Sequence, residues 1–76
     1  MSDGQKLLMK YLVSIGAPMD CTLLIVDSMW EENTLHEFFG YILEHQEANY
    51  FELYIVAQRI AEAHNTLNDY SMFETL

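Results

Sequence analysis

Apolar positions recur along the chain with a helical period. Leu7, Leu8, Tyr11, Leu12 and Ile15 follow the i, i+1, i+4, i+5, i+8 order of one helix face. Gly16 stands where a left-handed capping residue ends such a helix, and Pro18 follows at a distance that prevents continuation. Pro18 can also open the next helix, because its missing N–H costs nothing there. That helix, about 18–29, is expected to carry Met19, Leu23, Val26 and Trp30 on one side. Its "LLIV" run fits a buried strand, but no second strand pattern exists to pair with it.

A third helix is expected at about 34–45, opened by a Thr34/Glu37 capping box or by Asn33. Its stripe is Leu35, Phe38, Phe39, Ile42 and Leu43, and its opposite face is Glu37, Gly40, Tyr41 and Glu44. After "HQEAN", Asn49 caps a fourth helix of about 50–64 that runs through Tyr50, Leu53, Ala57, Ile60 and Ala61. This helix is apolar nearly all round from Tyr50 to Ala57. It is therefore either the central helix or half of an interface, with Phe51, Ile55 and Val56 in excess of one stripe. Leu67, Tyr70 and Phe73 recur at threes in the tail. The pattern as a whole predicts an all-α fold, a compact bundle of four short helices. Residues 1–65 form one domain, and 66–76 a tail or short strap helix.

Composition narrows the class. A chain of 76 residues lies near the lower end of what folds without staples, and Cys21 alone forms no intrachain disulfide. The core must come from the 51% of residues that are apolar. No apolar run approaches the ~20 residues of a membrane span. Asp3, Lys6 and Lys10 break the order of a signal peptide, so an intracellular, cytoplasmic protein is expected.

Charge changes the picture most. Twelve acids oppose three bases, for a formal charge of −9, and no base occurs from Tyr11 to Gln58. Such a chain is repelled by nucleic acid and anionic lipid and attracted to basic surfaces. Crowded carboxylates are also expected to repel one another, so that stability rises as pH falls from 7 towards about 5.

The chemistry of catalysis finds little footing. His36 and His45 are nine residues apart, not the i, i+4 spacing of a helical zinc pair, and His64 lies on another helix. Glu37 and Glu44 stand about 10 Å apart along one helix face, but a solvated convex face does not raise a carboxyl pKa as acid catalysis requires. Cys21 has Asp20 beside it and no nearby histidine. A DNA-reading helix would need lysines and arginines, and the two candidate recognition helices carry acids only. Neither an enzyme nor a cofactor is expected.

Recognition by surface remains. Glu31, Glu32, Glu37, Glu44 and Glu47 surround Trp30 and Tyr41, and aromatic anchors with steering charge suit an interface. In size, charge and helicity the chain resembles the short acidic proteins of phages and mobile elements, anti-CRISPR proteins and other DNA mimics among them. The resemblance implies an inhibitor that occupies a basic surface on a nucleic-acid-processing enzyme. The alternative expectation is a self-associating structural or adaptor module that pairs through Phe51, Ile55 and Val56, giving a homodimer.

Overall fold

The computed structural model describes residues 1–64, and the strap expected over 66–76 lies outside the described residues. Four helices follow in the expected order: α1 (Asp3–Ser14), α2 (Met19–Ser28), α3 (Glu32–Glu44) and α4 (Tyr50–Ala63). The described residues contain no strand, so "LLIV" is helical. None of the described helices is long and apolar enough to cross a membrane.

Local chemistry sets each helix end. Ser2 caps α1 reciprocally with Gln5: the Gln5 N–H donates to Ser2 Oγ at 3.2 Å, and the Ser2 N–H donates to Gln5 Oε1 at 3.0 Å. Gln5 is buried, and its Nε2 also donates to the Val26 carbonyl at 2.9 Å, tying the start of α1 to α2. Gly16 has φ of 86° and closes α1 while the Ala17 N–H reaches the Leu12 carbonyl at 3.0 Å. Pro18 takes the N-cap position, one place before the first helical residue, and its carbonyl accepts the Thr22 N–H at 2.9 Å. Asn49 caps α4 as its spacing predicts, accepting the Glu52 N–H at 2.9 Å.

The start of α3 departs from expectation. Neither Asn33 nor Thr34 is the cap; Glu31 is, and the helix begins at Glu32. The Glu31 carboxylate folds back to accept the Thr34 N–H at 3.0 Å and the Thr34 hydroxyl at 3.1 Å. Thr34 is fully buried, so its side chain could not serve as a solvent-facing cap.

The core joins all four helices. Leu8 and Leu12 of α1, Ile25 and Val26 of α2, Phe38 of α3, and Leu53, Ala57 and Ala61 of α4 pack together with Met29. Helices α1 and α4 each pack against both α2 and α3. The Leu35 side chain of α3 lies against Gly4 of α1, where a Cβ would overlap Leu35 Cδ2. Two expected stripes are only partly buried. Leu7 (62% exposed) and Leu43 (70% exposed) lie outside the core, and Phe39 is half-buried. On α2 the buried side is Thr22, Ile25, Val26 and Ser28, while Met19, Leu23 and the following Trp30 are exposed. An all-apolar run has no internal contrast to fix which side turns inward, and two buried hydroxyl residues hid the true face.

Candidate partner-binding face

Two turns of α3 separate Glu37 from Glu44, about 10 Å along the axis, with Tyr41 between them on the same side. This strip faces solvent beside α4, and both glutamates are exposed. Tyr41 is half-buried and held from two directions. Its hydroxyl donates to Glu52 Oε2 of α4 at 2.8 Å. Its ring stacks on His45, centroids 4.2 Å apart and planes 26° from parallel. The bond to Glu52 holds the phenol above its ordinary value of 10.0, and desolvation and the charges of Glu52 and Glu47 add to the shift.

Two histidine rings meet carboxylates on this face. His45 Nδ1 lies 3.6 Å from Glu47 Oε1, and His64 Nε2 lies 2.9 Å from Glu37 Oε1. Among the described residues these are the nitrogen–carboxylate contacts of ion-pair length, and neither involves a lysine or arginine. His64 thus meets a glutamate, and His36 stands apart as an exposed residue. Among the described residues no group of three or more His, Cys, Asp or Glu side chains could hold a metal ion.

The seven residues expected to contact a partner do not form one surface. Glu37, Tyr41, Glu44 and Glu47 belong to the α3–α4 strip, which Glu52 and His64 extend. Trp30 and Glu32 instead line a recess of about 280 Å³ with Ser2, Gly4 and Leu35 at the start of α1. The five residues from Glu32 to Glu37 turn a helix through one full turn and about 140° more, which sets these two acids on different sides. Glu31 is committed to the cap. Its carboxyl is held below its ordinary 4.5, first by the Thr34 N–H, then by the Asn33 N–H, with His64 contributing last.

The residues expected to self-associate divide differently. Phe51 (64% exposed) and Ile55 face solvent, whereas Val56 is half-buried against the core. Phe51 shares a shallow apolar hollow between α2 and α4 with Leu24, Tyr54, Pro18 and Cys21. Partial burial there pushes the Cys21 thiol above its ordinary 9.0. Leu24 was missed in the sequence because it sits inside the uniform "LLIV" run. The Tyr41–Glu52 bond carried a usable signal: adjacent helices joined by a short break bring residues near the break together.

No family model matches the chain, and no curated protein or solved structure matches it.

Proposed function

We propose that this chain is a non-enzymatic protein-binding module that docks its acidic α3–α4 strip on a basic, nucleic-acid-binding surface of another protein. In this reading Glu37, Glu44, Glu47 and Glu52 stand in for phosphates, since ionised carboxylates offer only acceptor oxygens and pair well with arginine. Tyr41 is the anchor, fixed before binding by Glu52 and His45, so little side-chain freedom remains to be lost on association. The observation that carries the reading is the exposed Glu37–Tyr41–Glu44 strip without a lysine or arginine partner among the described residues. A mimic of this kind blocks its partner by occupation, as an anti-CRISPR inhibitor does.

Capture from cells that naturally make the protein, followed by challenge with duplex DNA, tests the reading. DNA should displace the bound protein, and rising salt should weaken its retention. A partner that stays bound under both challenges would contradict charge mimicry.

A second reading is favoured by the exposed Phe51, Ile55 and Leu24 on α2 and α4. Such a patch suits a second copy of the chain. Sedimentation across a concentration series checks it: Phe51→Ser should weaken any dimer, and a monomer throughout ends the idea.

A further inference from the structure

Among the described residues, two apolar faces lie on opposite edges of the bundle. Contacts run from α1 to α2, α2 to α4, α4 to α3 and α3 back to α1, so the α1–α3 and α2–α4 edges point away from each other. The first edge holds an open groove of about 680 Å³, lined by Leu7, Tyr11, Phe39 and Leu43 among others. On the second, Leu24, Phe51 and Ile55 are exposed, the first two at the hollow between α2 and α4.

The two faces differ in charge. No aspartate or glutamate lines the groove. Lys6 and Lys10 each precede a groove residue, Leu7 and Tyr11, by about 100° of helix turn, and stand exposed on its outer rim. His36, two turns before Leu43, is exposed on the same side of α3. The other face is acidic. Asp20 lines the hollow, Asp27 follows Leu24 by three residues, and Glu62 follows Ile55 by two turns. Arg59, one turn after Ile55, is the base of that face.

We propose that the α1–α3 groove receives the α2–α4 face of a second copy, so that chains associate head to tail. The proposal rests on the self-association reading above and gives it a geometry. Charge selects the pairing. Groove on groove sets Lys6 and Lys10 against the same lysines of the second copy. The α2–α4 face on itself sets Asp20 and Asp27 against theirs, and like charges across an interface cost affinity. Groove on α2–α4 face instead brings lysines to aspartates. Length agrees as well: Phe51 and Ile55 are about 6 Å apart along α4, and the groove wall from Leu7 to Ile15 runs about 12 Å. Because the two surfaces differ and lie on opposite edges, each added copy leaves one groove and one α2–α4 face open for the next. The acidic α3–α4 strip belongs to neither surface.

Sedimentation of the full chain up to about 1 mM tests the proposal by complementation. Wild type should grow past the dimer as concentration rises. A groove variant, Leu7→Ser with Leu43→Ser, and a face variant, Leu24→Ser with Phe51→Ser, should each remain monomeric while circular dichroism shows intact helices. Mixed one to one they should form a dimer and nothing larger, since one intact groove and one intact face remain between them. Lys6→Glu with Lys10→Glu should weaken self-association by roughly tenfold or more. Wild type that stops at a dimer, with the groove variant unaffected, would overturn the head-to-tail geometry and leave self-association through the α2–α4 face standing. A mixture that stays monomeric, or lysine reversal without effect, would also overturn it. Monomeric wild type throughout would end both this proposal and the reading on which it rests.

Discussion

Tyr41 and Glu52, eleven residues apart and on different helices, are joined by a 2.8 Å bond from phenol to carboxylate. The bond crosses from α3 to α4 in the middle of the acidic strip and fixes the aromatic ring there. Because the carboxylate stabilises the protonated phenol, the Tyr41 pKa is raised above 10.0. A group raised in the folded state adds stability below its unfolded value and loses that stability as pH rises through the folded value. The Tyr41 ring carbon resonance, followed from pH 9 to 12, should therefore titrate later than a free tyrosine. Glu52→Ala should bring the midpoint back towards 10.0, and an unchanged midpoint would mean that the bond does not persist in solution.

At Glu31 the sign is opposite. Its carboxyl is lowered, so its contribution is complete above about 4.5 and is lost as pH falls through the folded value. The stability gain expected from relieved repulsion between pH 7 and 5 therefore has an opposing loss on the acid side. Thermal melts of wild type and Glu31→Ala should differ at pH 7, with the variant less stable, and converge near pH 3. Glu31→Ala also leaves the buried Thr34 hydroxyl without its acceptor. Adding Thr34→Val should consequently restore part of the loss. A gap that persists at pH 3 would show that the carboxylate charge does not drive the cap.

Thr22 is fully buried on α2, and its hydroxyl has no hydrogen-bond partner among the described residues. Valine has nearly the same shape without the unsatisfied group, and its helix propensity is similar. Thr22→Val should stabilise the fold by about 1 kcal/mol, read as a higher midpoint in urea with unchanged slope. A loss of similar size would indicate a polar partner for the hydroxyl in solution.

The helices were legible because several ends carry strong local chemistry, Gly16 before Pro18 and Asn49 among them, whereas the Ser2–Gln5 cap of α1 went unread. Faces were less legible. Leu8, Leu12, Phe38 and Ile42 are buried as their spacing implies, yet Leu7 and Leu43 continue the same stripes into an open groove. Periodicity says which residues share a side, not how wide a neighbouring helix will cover that side. The candidate site shows a related limit. Glu31 through Glu47 read as one acidic region along the chain, but the turn of α3 and the capping role of Glu31 divide it. His64, which meets Glu37 from α4, carried no sequence signal linking it to that residue.

Position of charge, not its total, is the central claim, and two paired reversals separate them. Glu37→Lys with Glu44→Lys changes the strip, while Asp20→Lys with Asp27→Lys changes exposed sites on α2 at the same seven-residue spacing. Each pair reverses two charges, taking the formal charge from −9 to −5. Affinity for the captured partner should be measured for both variants by titration, after circular dichroism confirms helical folds. The account predicts that the α3 pair weakens binding by roughly a hundredfold or more, as expected when central charge contacts of an interface are inverted, and that the α2 pair changes it by less than about threefold. Equal losses from the two pairs, or full affinity retained by the α3 pair, would contradict it.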